Sequence, residues 1–144
     1  MIFFKDLSFE EKEALLKFPV YISLLAAEKN YHLDKKERKE AIRFNHIETY
    51  SCDPLLSDFY KEADKEFVKN LTKIDEELPK EKEQREAAIQ NELLKLENIL
   101  LKMDKQYATV MHRSMLTFKD HVSKAHRNVL EYFLFPLPFK GISD

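Results

Sequence analysis

The clearest periodic pattern in the chain is DPLLSDFYKEADKEFVKNLTKIDEELPK, residues 53–80. Its apolar residues recur every three or four positions, at Leu56, Phe59, Ala63, Phe67, Leu71, Ile74 and Leu78. Because an α-helix turns once every 3.6 residues, this spacing puts them on one face of a helix of about 25 residues. Asp53 and Pro54 supply an N-cap and a first-turn proline, and Pro79 ends the helix. The stretch therefore predicts one long amphipathic helix.

Two further apolar stripes follow this helix. The first comprises Ile89, Leu93, Leu96, Leu100 and Met103, and the second comprises Met111, Met115, Phe118, Val122, Ala125 and Val129. No Gly or Pro separates the stripes, but their phase shifts between Tyr107 and Met111, and Asp104 is a good N-cap. We therefore predict two helices that meet near Asp104.

The first fifty residues carry two capping boxes. Ser8 is followed three positions later by Glu11, and Asp34 is followed by Glu37. In this pattern each side chain bonds to the other residue's backbone N–H, which starts a helix. Together with a proline at a first helical position, these signals predict helices over about residues 8–17, 19–29 and 34–50.

The composition favours the same fold. The chain has 144 residues with a single Gly, and 44% of them are hydrophobic and 35% charged. Such chains are mostly helical, because their common residue types lose little entropy in a helix. We predict one all-α domain over residues 1–144, a single bundle of five or six helices with long antiparallel helices in its C-terminal two thirds. Residues 135–144 are an apolar tail with two prolines.

The same counts exclude several classes of function. One Gly leaves no glycine-rich loop to cradle a phosphate, and a formal net charge of −2 gives no electrostatic argument for nucleic acid. The early charge-free stretch, residues 18–27, is too short to cross a membrane. A single cysteine cannot form an internal disulfide, and the first residues lack the pattern of a signal peptide. We therefore expect a cytoplasmic protein that binds neither nucleic acid nor membrane.

Catalytic and metal motifs that are local in sequence are absent. No His stands three residues after a Glu or four residues after another His. Cys52 fits either local packing or a thiol whose pKa the following helix lowers. The charges of residues 61–86 are mixed in sign, which is typical of the solvated faces of two antiparallel helices rather than of an interaction tail. His112 and His126 flank an apolar stripe, so we expect the polar edge of each ring to contact a partner.

Residues 18–44, FPVYISLLAAEKNYHLDKKERKEAIRF, resemble the helix–loop–helix of the TerB-like family of tellurite-resistance-associated helical proteins. Leu33, Asp34 and Glu37 match the family's apolar residue, acidic cap and glutamate. Asn30 and Tyr31 stand where the family has an aspartate and a glycine. The resemblance implies an all-helical fold and a divalent-metal site formed by Asn30, Asp34 and Glu37, whose oxygen ligands suit a hard cation.

Three functions follow from these observations. The leading hypothesis is a non-catalytic helical-bundle protein that acts through contacts with a protein partner or a second copy. The alternative is divalent-metal binding by the Asn30–Glu37 loop, with no other cofactor, and the third is an enzyme whose site is assembled from separate helices.

The apolar residues 132–139 either fold back across the bundle or dock on another subunit, because so many Phe and Leu side chains do not stay exposed.

Overall fold

The structure, a computed structural model, describes residues 1–125. Its six α-helices are α1 Phe9–Leu16, α2 Phe18–Ala26, α3 Lys35–Ser51, α4 Ser57–Glu77, α5 Lys82–Leu101 and α6 Lys105–Ser123. Two short 3-10 turns, Phe4–Asp6 and Pro54–Leu56, precede α1 and α4. No β-strand occurs in this part of the chain, and none of these helices is long and apolar enough to cross a membrane. The predicted all-α bundle is therefore confirmed.

The predicted N-caps start three of these helices. The Ser8 hydroxyl accepts a hydrogen bond from the Glu11 N–H at 3.1 Å, and the Asp34 carboxylate accepts one from the Glu37 N–H at 2.8 Å. The Asp104 carboxylate accepts the Tyr107 N–H at 3.1 Å, so the helical path breaks between α5 and α6 where the sequence predicts it. The backbone N–H of Asp104 also donates to the carbonyl oxygen of Ile2 at 2.8 Å, which ties the N-terminal residues to this corner.

Two boundaries differ from the sequence-based expectation. α2 ends at Ala26 rather than near Lys29, because the Glu28 N–H leaves the helix and donates to the Glu37 carboxylate at 2.8 Å. Asp53 caps a 3-10 turn instead of an α-helix, since its side chain accepts the Leu55 N–H at 2.9 Å. The α-helix proper therefore begins at Ser57.

α2 is the central helix of the bundle. All residues from Phe18 to Leu24 are buried, and α2 contacts each of the other five helices. A helix that is apolar all round has no face suited to water, so it takes the interior position. The Ser23 hydroxyl is buried there and donates to the Pro19 carbonyl at 2.7 Å.

The longer helices pack around α2 with directions that their contacts define. Arg38 of α3 bonds to Thr72 of α4, and His46, further along α3, contacts Asp64, which lies earlier in α4. Later residues of α3 therefore contact earlier residues of α4, which means that the two helices are antiparallel. A contact between Glu97 and His112 joins α5 to α6. The two residues lie a similar number of positions before and after Asp104, where the chain turns, so α5 and α6 are antiparallel.

The predicted stripes form one hydrophobic core, to which all six helices contribute. Phe118 of α6 lies at its centre, with no solvent exposure. Its ring packs edge-to-face against Phe44 at 5.1 Å between centroids and contacts Phe67 at 6.1 Å. Of the predicted stripe residues among residues 1–125, only Leu78 and Leu93 are half-buried rather than buried.

Some predictions fall outside the described residues. These are His126 and Val129 of the last helix and the apolar residues 132–139 of the tail. The structural observations below concern residues 1–125.

Candidate functional site

The loop between α2 and α3 contains the predicted metal ligands. Asn30 and Tyr31 adopt left-handed backbone conformations, with φ values of 52° and 62°. The His32 N–H donates to the Lys29 carbonyl at 3.0 Å, which closes a tight turn around them. A left-handed conformation favours glycine, so the aromatic residue at Tyr31 requires support from outside the loop.

That support comes from the start of α5. The Tyr31 hydroxyl donates to the Glu86 carboxylate at 2.6 Å, and Arg85 Nε donates to the Tyr31 carbonyl at 2.8 Å. Arg85 also donates to the carbonyls of Asp75 and Pro79, at 3.3 Å and 3.4 Å, and to the Asp75 carboxylate. One guanidinium therefore joins the α2–α3 loop to the turn between α4 and α5.

Arg85 is a correction to the interpretation of residues 61–86 as wholly solvated. Its side chain is fully buried, with 0% exposure, whereas the other charged residues of that run are exposed or half-buried. The planar guanidinium carries five donors, which lets it satisfy several backbone carbonyls that no helix pairs. The sequence contains no local signal for this position, because the Tyr31 carbonyl lies 54 residues earlier in the chain.

The structure brings Asp34 and Glu37 together and places Asn30 at the exposed tip of the turn. Glu37 is buried, and its two carboxylate oxygens accept the N–H groups of Asp34 at 3.0 Å and Glu28 at 2.8 Å. These bonds hold both ends of the loop. Within residues 1–125, no group of three or more His, Cys, Asp or Glu side chains is placed to hold a metal ion.

Divalent-metal binding by Asn30, Asp34 and Glu37 stays a prediction. It requires Glu37 to share its oxygens between the backbone and a cation, and Asn30 to turn its amide oxygen inward. Calorimetric titration with calcium, magnesium and zinc tests it. Heat that disappears in Asn30→Ala supports the ligand set, and no heat at millimolar metal eliminates it.

A polar cleft of about 190 Å³ lies between the end of α3 and α6. Its lining includes Glu48, Cys52, Arg113 and Ser114, and the Ser114 hydroxyl bonds to the buried Tyr60 hydroxyl at 2.6 Å. Burial raises the pKa of the Cys52 thiol, and the Glu48 carboxylate raises it further. The thiol therefore favours its protonated, weakly nucleophilic form, and its contact with the core supports the local-packing interpretation.

Another cavity is larger than this cleft and apolar. It is a groove of about 400 Å³ formed by α2, α5 and α6, which we call the α5–α6 groove. Its lining residues are Phe18, Ile22, Leu93, Glu97, His112, Met115, Leu116 and Lys119. α2 supplies the buried side chains of Phe18 and Ile22, and Met115 on α6 is also buried.

Leu116 distinguishes this groove from an ordinary surface depression. Its side chain lies in the groove lining, yet the residue is 69% exposed. Three residues further along α6, Lys119 provides a positive charge, and the neighbouring Asp120 carboxylate pairs with Lys124 at 2.9 Å. The groove therefore combines an exposed leucine, buried apolar side chains and a charged edge.

The polar edge of the groove contains an interhelical pair. His112 Nε2 lies 2.7 Å and 2.8 Å from the two carboxylate oxygens of Glu97, which links α6 to α5. The predicted polar contact of His112 is thus confirmed. The sequence alone does not indicate the groove, because Phe18, Ile22 and Leu93 reach it from other helices.

Comparisons with known proteins gave no match for this chain, either among protein-family models or among curated proteins and solved structures. The TerB-like resemblance of residues 18–44 therefore stays a prediction.

Proposed function

We propose that this is a cytoplasmic, non-catalytic helical-bundle protein that acts through protein contacts, with the α5–α6 groove as its contact surface. The observation that carries the proposal is the exposed Leu116 among the buried side chains of Phe18, Ile22 and Met115. Apolar side chains gathered in a concave site and bordered by polar residues are typical of a binding surface.

The partner we propose is a short apolar segment of another protein, with aromatic or aliphatic side chains. A volume of about 400 Å³ accepts a few side chains rather than the face of a whole domain. Phe18, Ile22 and Met115 offer such side chains no hydrogen bonds, so affinity arises from the removal of apolar surface from water. Lys119 favours a partner with a carboxylate beside its apolar residues.

The chemistry of the polar cleft and of the α5–α6 groove supports the non-catalytic part of the proposal. The α5–α6 groove offers Glu97, His112 and Lys119 as titratable groups, and the first two already bind each other. The polar cleft offers Cys52, whose raised pKa disfavours the thiolate. Turnover by the isolated chain, abolished by one polar substitution, would contradict this part of the proposal.

The test is selection of peptides from a random displayed library on the immobilised full chain. We expect peptides rich in Phe, Tyr and Leu, and we expect Leu116→Asp to weaken their binding at least about tenfold, because it puts a charge into the apolar groove. Fluorescence anisotropy of labelled peptides measures the affinities.

Leu101→Asp is the matched control. Leu101 is an 83% exposed leucine at the end of α5 and does not line the groove, so its replacement makes the same chemical change elsewhere. We expect this variant to bind the peptides like the unchanged chain. Equal binding by Leu116→Asp and Leu101→Asp, or selection of peptides without apolar residues, would overturn the proposal.

A further inference from the structure

The chain itself contains a segment with the chemistry that the α5–α6 groove selects. Residues 132–135 read Tyr-Phe-Leu-Phe, and Pro136 follows them. The residue before a proline is biased towards extended backbone, in which alternate side chains point to the same side. Phe133 and Phe135 are therefore suited to enter one apolar groove together.

The segment has enough chain to reach the groove. α6 ends at Ser123, and the α6 residues that line the groove lie at 112–119. At 1.5 Å per residue, Leu116 is about 14 Å from Ala125 along the helix axis. The six residues 126–131 span up to about 20 Å when extended, so they cover this distance.

The charges next to the segment agree with this placement. Glu131 immediately precedes the four residues, and Lys119 is the groove residue closest to the C-terminal end of α6. A chain that turns back from α6 brings Glu131 past Lys119 first, where opposite charges attract. The aromatic residues then follow towards Leu116.

We infer that Phe133 and Phe135 dock in the α5–α6 groove of their own molecule and compete there with the protein partner. The inference rests on the proposed function, because it assigns a regulator to the same surface. A ligand tethered by a short linker acts at an effective concentration of about millimolar. A partner can bind only those molecules whose groove is free of the segment. Self-docking therefore reduces the partner's apparent affinity in proportion to the fraction of grooves that remain free.

The experiment uses a reporter in the groove of the full chain. In a Cys52→Ser background, Leu116→Cys supplies one thiol, whose alkylation rate reports access to the groove. We expect Phe133→Asp/Phe135→Asp to increase this rate severalfold. Phe139→Asp, a change of the same type outside the docking pair, should leave the rate near its original value.

A second reporter checks that the change in rate belongs to the groove. The thiol of Leu101→Cys, in the same Cys52→Ser background, should be alkylated at the same rate with the unchanged tail and with Phe133→Asp/Phe135→Asp. Circular dichroism verifies the fold, and Phe133→Ala/Phe135→Ala replaces the aspartate pair if that pair unfolds the protein. An unchanged alkylation rate of the Leu116→Cys thiol in a folded tail variant overturns the inference.

Two further measurements separate the possible failures. With Leu116 intact, the tail variant should bind the library-selected peptides severalfold more tightly, because the competing segment is gone. If the peptides bind but neither their affinity nor the alkylation rate responds to the tail, self-docking fails and the proposed function stands. If the tail protects the Leu116→Cys thiol but selection on the tail variant, whose groove is free of the segment, also yields no peptide, the proposed function fails. Protection that grows with protein concentration would place the segment in a second copy and overturn the intramolecular inference.

Discussion

Replacing Arg85 by alanine is expected to lower the free energy of unfolding by about 3 kcal/mol or more, because each buried acceptor left unpaired costs about 1–3 kcal/mol. The fully buried guanidinium donates to the carbonyls of Tyr31, Asp75 and Pro79. Its removal leaves the Tyr31 and Pro79 carbonyls without this donor, leaves the Asp75 carbonyl with only the bond from Lys80, and opens a cavity at the base of α5. The substitution also removes the hydrogen bond from Arg85 to the Tyr31 carbonyl, which helps to hold the left-handed backbone of Tyr31.

Urea unfolding followed by circular dichroism measures this loss. Arg85→Lys keeps the charge but not the fork of donors, so we expect it to lose a smaller part of the stability. Lys82→Ala, an exposed position in the first turn of the same helix, should stay within about 0.5 kcal/mol of the unchanged chain. An Arg85→Ala variant as stable as Lys82→Ala would show that the guanidinium does not hold the loop.

The other large effect concerns the aromatic centre of the core. We expect Phe118→Ala to cost about 3–5 kcal/mol, the usual range for removing a buried Phe side chain. Phe118 has no solvent exposure and contacts Phe44 and Phe67, so the cavity lies where α3, α4 and α6 meet. The three helices around the cavity limit how far it can collapse, so little of the lost stability is recovered by relaxation.

Thermal and urea unfolding of three variants test this expectation. Phe118→Leu retains much of the apolar volume and should lose less stability than Phe118→Ala. Phe9→Ala makes the same truncation at a position that is 73% exposed, and we expect a change of no more than about 0.5 kcal/mol. If Phe118→Ala and Phe9→Ala lost equal stability, the assigned centre of the core would be wrong.

Sequence reasoning succeeded where the determining interactions are local. The cap at Asp104 involves a residue three positions away, and the stripe through Phe118 follows from the helical period alone. The reasoning missed Arg85, because its acceptors lie in two segments distant in sequence, the α2–α3 loop and the end of α4 with the turn after it. Charged side chains are also rarely buried, so an exposed position was the natural expectation.

In the two candidate sites, too, the sequence predicts the local interactions and misses those between residues distant in sequence. The pairing of Asp34 with Glu37 follows from a spacing of three residues, so the sequence predicts it. The second oxygen of Glu37 accepts the Glu28 N–H, which depends on how the loop closes. The α5–α6 groove was missed for a comparable reason, since it exists only when α2 lies beneath both α5 and α6.

The bond between the Asp104 N–H and the Ile2 carbonyl has a consequence for synthesis on the ribosome. Translation adds about 5–20 residues per second, so Asp104 is made roughly 5–20 s after Ile2. During that interval the Ile2 carbonyl has no partner at the α5–α6 corner, and the Phe3 ring lacks Tyr107, against which it packs in the finished fold. The N-terminal residues of the nascent chain therefore stay without these contacts until α6 begins to form, and a chaperone that binds this chain during translation would find apolar surface there.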